Sequence, residues 1–136
     1  MIRRTLSALL AVSLMLLPLP VAQAQTTALD ACPFPPGNLV VAYAEPLTVS
    51  TTAIGLTASV YNPGSGSPKA VCALISVNTE GISRWANGRT PTASDGVLVA
   101  AGVQFSVGPA NLATLKMIRS GASDASVAVE YMVPTN

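Results

Sequence analysis

Arg84, Trp85 and Arg89 form the one group in this chain whose residue types suggest surface chemistry. A planar indole flanked by guanidinium groups can stack on a sugar ring or on a partner protein. The competing reading is structural. A lone tryptophan in a chain with only 4% aromatic residues belongs in the core beneath a loop, with Arg84 paired to Glu80. On the first reading Arg84, Trp85 and Arg89 are the candidate binding residues; on the second they are structural.

Catalytic chemistry is poorly provided for. The chain has no histidine, which removes the Ser-His-Asp triad, the Cys-His dyad and most zinc sites. Two cysteines cannot close a structural zinc site. No phosphate-binding or dinucleotide-binding glycine pattern occurs. A serine nucleophile would need a lysine base, and Lys69 and Lys116 lie in no such motif. Six carboxylates remain: Asp30, Glu45, Glu80, Asp95, Asp124 and Glu130. A glycosidase needs only two, but most of these fall at expected turns or exposed faces and read as solvated. Asp95 and Asp124 lack the surrounding acids of a calcium site. The expectation is a non-enzyme with no catalytic residue, no metal and no cofactor.

The two cysteines, Cys32 and Cys72, read as a disulfide if the protein is exported. The alternative is a pair of buried free thiols. Closing a loop of about 40 residues would contribute roughly 4 kcal/mol by restricting the unfolded chain. Export is suggested by the first residues. Arg3 and Arg4 precede an apolar run over residues 6–17, then Pro18 and Pro20, then Ala22-Gln23-Ala24. This is the layout of a cleavable signal peptide, with cleavage after Ala24. The run is shorter than the roughly 20 residues that span a bilayer, so no stable membrane anchor is expected. Leu29-Asp30-Ala31-Cys32 loosely matches a lipidation site, but Asp30 is charged where a small or apolar residue is usual. The protein is therefore expected to be secreted or periplasmic.

Loss of Arg3 and Arg4 would leave five basic against six acidic side chains, a net charge of −1. That is no electrostatic footprint for nucleic acid. So small a charge gives little colloidal repulsion and makes self-association or a protein partner plausible, with carbohydrate as the alternative ligand.

The elements that must position these residues read as β throughout. Residues 25–38 form a proline-rich arm, containing Cys32-Pro33-Phe34-Pro35-Pro36-Gly37, and residues 39–136 form the domain. Strands are expected over 39–44, ended by Pro46, and over 47–50. Further strands are expected over 54–61, 70–77, 82–85, 97–100 and 103–107. The segment 112–118 fits strand or helix, with strand favoured by its context. The last strand covers 127–132. Asn87-Gly88 and Asp95-Gly96 mark turns around Thr90-Pro91-Thr92. About eight short strands without a long helix predict an all-β domain, a small β-sandwich or jelly-roll-like fold.

Several of these motifs recur together in one family. Arg84-Trp85, Gly88, Thr90-Pro91-Thr92, Gly96, Ala101-Gly102, Asn111-Leu112, Ile118-Arg119-Ser120 and Val127-x-Val129-x-Tyr131 carry the likeness. Thr48-Val49-Ser50 and Ala53-Ile54-Gly55-Leu56-Thr57 extend it upstream. Over about residues 47–133 the chain resembles small all-β virion-associated or accessory proteins of tailed bacteriophages and prophages. The resemblance implies a non-enzymatic structural or accessory role and transfers no functional residue. The signal segment and proline-rich arm lie outside it and point to an exported relative.

Overall fold

The computed structural model describes Cys32 and residues 38–135. The expected signal peptide, and all of the expected arm except Cys32 and Asn38, lie outside the described residues. Seven strands and one helical turn follow: β1 (Leu39–Val49), α1 (Ala58–Tyr61), β2 (Cys72–Val77), β3 (Ile82–Trp85), β4 (Val97–Val99), β5 (Gln104–Val107), β6 (Lys116–Arg119) and β7 (Ala125–Pro134). They form two antiparallel sheets, ordered β1-β7-β2-β5 and β4-β3-β6. Both sheets contribute to one apolar core, so the domain is a small β-sandwich.

Strand β7 alternates strictly. Ala125, Val127, Val129, Tyr131 and Val133 are buried, while Ser126 and Glu130 are exposed. This period of two packs one face on the core and leaves the other to solvent. Its inward residues meet Ala73, Ile75 and Val77 of β2 on one side and Tyr43, Leu47 and Val49 of β1 on the other. Each fully buried aliphatic side chain contributes about 1.5–3 kcal/mol. β2 lies between β7 and β5, as its two apolar faces suggest.

Three segments differ from the sequence reading. Residues 39–49 form one strand running through Pro46, not two strands broken there. β1 is the outer strand of its sheet, where a proline's missing N–H removes no necessary ladder bond. The register slips between Val41 and Tyr43, a bulge that leaves Ala42 as the extra residue. Residues 54–61 alternate like a strand, but only Ile54 bridges to Met117. The chain then turns once as α1, with the Val60 and Tyr61 amides donating to the Thr57 carbonyl. That turn buries Tyr61 against Tyr131, ring centroids 6.1 Å apart. In 112–118 only the end is strand. Asn111 accepts from the amides of Thr114 and Leu115, and this turn buries Leu112 and Leu115 at helical spacing.

Cys32 is bonded to Cys72, with Cα atoms 5.4 Å apart. Cys72 stands opposite Met132 on the outward face of its sheet, yet it is wholly buried. The bond therefore holds residue 32 against that outer face. A disulfide of this kind belongs to a non-reducing environment, extracellular or periplasmic. Replacing both cysteines by serine is expected to lower unfolding free energy by about 4 kcal/mol. Denaturant midpoints of the two proteins under non-reducing conditions measure this, with far-UV circular dichroism confirming that the strands persist.

Candidate functional site

The alternation of β3 separates the candidate residues. Ile82 and Arg84 share one face; Ser83 and Trp85 share the other. Arg84 stands opposite Met117, which is fully buried, and so points into the core. Trp85 stands opposite Lys116 on the outside of the sheet. Adjacent in sequence, the two side chains lie on opposite faces of the sheet and cannot act as one surface platform.

Arg84 is only 5% exposed, and its guanidinium carbon lies 4.3 Å from the ring centroid of Phe105. Phe105 belongs to β5, so the contact ties the two sheets together across the core. Removing a guanidinium from water is costly. A desolvated cation–π contact offsets this by about 2 kcal/mol or more. Glu80 lies close over Gly121, where an added methyl group would strike its carboxylate.

Trp85 is half-buried beneath the 86–96 loop. The Arg89 guanidinium carbon stacks 4.4 Å from the indole centroid, and Arg89 Nη2 donates to Asp95 Oδ2 at 3.2 Å. The loop is fastened at several points. Thr92 Oγ1 accepts from the Asp95 amide at 2.9 Å, and the Thr92 amide donates to the Asp95 carbonyl at 2.9 Å. Ser83 Oγ also donates to that carbonyl, at 3.3 Å. Pro91 is buried. Gly96, at φ 152°, presses so closely on Ser83 Oγ that a side chain would collide with it. On the other flank the Gly88 amide donates to the Thr114 carbonyl at 3.0 Å, and Thr114 Oγ1 donates to the Ala86 carbonyl. The indole N–H is buried and makes no hydrogen bond. Arg89 lies over one face of the Trp85 indole, so that face is not an open stacking surface.

A second polar cluster escaped the sequence reading. Glu45 stands opposite Val129 on the inner face of β1 and accepts from the Tyr131 hydroxyl and, at 3.1 Å, from the Thr57 amide. Burial, and then the Glu45 carboxylate, hold the Tyr131 phenol well above its usual range. Glu45 shares its parity with Tyr43, Leu47 and Val49, a pattern visible only if the strand is read through Pro46. Glu130 stands opposite Ala44 on the outer face, so these two carboxylates point to opposite sides of the sheet. Among the described residues no three histidine, cysteine or acidic side chains gather to hold a metal.

Comparison of the chain with protein-family models, with curated proteins and with solved structures finds no match.

Two measurements test these roles. Arg84→Ala is expected to cost about 2–3 kcal/mol of stability through lost core packing, and Arg89→Ala less than about 1 kcal/mol, since its ion pair is exposed. Arg89→Ala should instead raise acrylamide quenching of the single tryptophan. Tyr131 governs alkaline behaviour. Above pH about 10 the unfolded chain loses this phenolic proton while the folded chain keeps it, so stability falls as pH rises, by about 1.4 kcal/mol per unit. The contribution is intact below that pH. Tyr131→Phe should remove that part of the slope in denaturant titrations across pH 9 to about 11.

Proposed function

We propose that this is an exported, non-catalytic β-sandwich protein with a structural or assembly role, acting through association of its own copies. The observation that carries this reading is the edge formed by β4. Sheet edges in soluble proteins are normally guarded by charge, proline or a bulge. Strand β1 has Pro46 and the bulge at 41–43, β6 begins and ends with Lys116 and Arg119, and β5 carries polar Gln104 and Ser106. β4 is Val97-Leu98-Val99, protected by its shortness alone, with no charge, proline or bulge. Leu98 is 60% exposed, and Val97 and nearby Val103 are exposed as well.

The low charge of the chain supports the same reading. The resemblance of its body to virion-associated or accessory proteins of tailed bacteriophages implies a non-enzymatic role of the same kind. The disulfide fits an exported protein, and the signal-like residues 1–24 supply the route. A carbohydrate-binding role for Arg84, Trp85 and Arg89 is the weaker alternative, because Arg84 is turned inward and Arg89 covers the indole.

Light scattering over a range of concentrations tests the proposal. The wild-type protein should shift to higher mass as concentration rises. Leu98→Lys should remain monomeric with unchanged circular dichroism. A wild-type protein that is strictly monomeric at high concentration overturns the reading.

A further inference from the structure

The 86–96 loop contains two dipeptides, Asn87-Gly88 and Asp95-Gly96, with the same latent chemistry. In each, the glycine amide nitrogen can attack the preceding side-chain carbonyl carbon and close a five-membered imide. The structure treats the two in opposite ways, and we propose that Asn87 is a site of spontaneous deamidation within the folded domain while Asp95 is protected.

Asn87 and Gly88 are both exposed. Gly88 has φ 81°, and nothing lies within 4 Å of the position a Cβ would take, so the ring has room to form. The Arg89 amide donates to Asn87 Oδ1 at 3.3 Å. That bond curls the carboxamide back over the peptide that follows it and stabilises negative charge on the oxygen as the carbon is attacked. The Gly88 amide donates to the Thr114 carbonyl at 3.0 Å, so reaction awaits the transient opening of that single bond.

Asp95-Gly96 is locked. The Asp95 amide, carbonyl and carboxylate are engaged by Thr92, by Thr92 and Ser83, and by Arg89 respectively. Gly96 is packed against Ser83 with no space to rotate. An ionised carboxylate is in addition a poor electrophile. Asn38, Asn78 and Asn111 precede leucine, threonine and leucine, and Asn62 precedes proline. Side chains on the following residue hinder the attack, and proline has no amide proton to lose.

The step balances with water as the only co-reactant. The Gly88 nitrogen gives its proton to solvent and bonds to Asn87 Cγ. The Cγ–Nδ2 bond breaks, and ammonia leaves after gaining a proton. Water then opens the imide at either carbonyl, giving aspartate or isoaspartate. Either product places a carboxylate beside Arg89 in competition with Asp95, so the chemistry loosens the guanidinium that covers Trp85.

Incubation of the folded protein in mildly alkaline buffer, followed by peptide mapping, tests this. The Asn87 peptide should gain the mass of an amide-to-acid conversion and split into aspartyl and isoaspartyl forms. The Asp95 peptide should stay wholly α-linked, and tryptophan quenching should rise in step with conversion. Asn87→Gln should abolish both the mass gain and the quenching change. Thr114→Val, which removes the strap to Ala86, should accelerate conversion several-fold in protein still folded by circular dichroism. Persistence of unmodified Asn87 in the folded wild type and in Thr114→Val overturns the inference, as does isomerisation of Asp95 at the rate of Asn87.

Discussion

The register of β7 is the constraint on which the rest of the domain depends. This strand is paired on both sides, with β1 along ten residues and with β2 along six. Because its side chains alternate, a slip of one residue would turn Val127, Val129 and Tyr131 outward and bring Ser126 and Glu130 into the core. Two neighbours must agree on the same register, which makes the slip doubly costly. The core of the second sheet then closes on the face that β7 defines, through Met117, Ile82 and Val99.

Polar groups inside this core reinforce that register. The Tyr131 hydroxyl reaches Glu45 only when β1 is held at its present offset, and Glu45 also collects the Thr57 amide at the entrance to α1. A slip would leave a half-buried carboxylate without its partners, and an unpaired buried polar group costs more than a paired one contributes. Arg84 acts similarly between the sheets, since its contact with Phe105 requires β3 and β5 to face each other at one spacing. A core built mainly from valine, alanine and leucine offers few distinctive shapes. Directional contacts of this kind specify the packing that small aliphatic residues leave ambiguous.

Much of this was legible in the sequence where side-chain period and burial agree. β2 and β7 follow from the faces their side chains share, and the disulfide from an even pair of cysteines in a chain read as exported. The errors lie where neighbours, not local pattern, decide. Pro46 reads as a strand end because its tolerance depends on β1 being an outer strand, which no local window reveals. Residues 54–61 alternate convincingly but have a partner for only one bridge, so Tyr61 is buried by a helical turn. Residues 112–118 mix helical and strand spacing because they contain a turn followed by a strand. Glu45 looks solvated for the same reason that Pro46 looks like a terminator: once the strand is cut there, its inward parity disappears.

Arg84, Trp85 and Arg89 show how far residue type misleads without strand parity. Arg84 and Trp85 are neighbours in sequence, and their joint chemistry suggests a binding surface. On a strand, neighbours are the pair that cannot cooperate on one face. Arg84 joins the core and Trp85 joins the loop outside it, where Arg89, four residues beyond the strand's end, returns to lie over the ring. Two cation–π contacts therefore form, one on each side of a single sheet. The inner one couples the sheets. The outer one, with Asp95 and Thr92, fixes a loop over an otherwise exposed indole. The arrangement uses the chain's scarce charge to seal aromatic surface. Apolar side chains stay exposed elsewhere, at Val97 and Leu98 on the uncharged edge strand β4 and at Val40 and Val41 on β1.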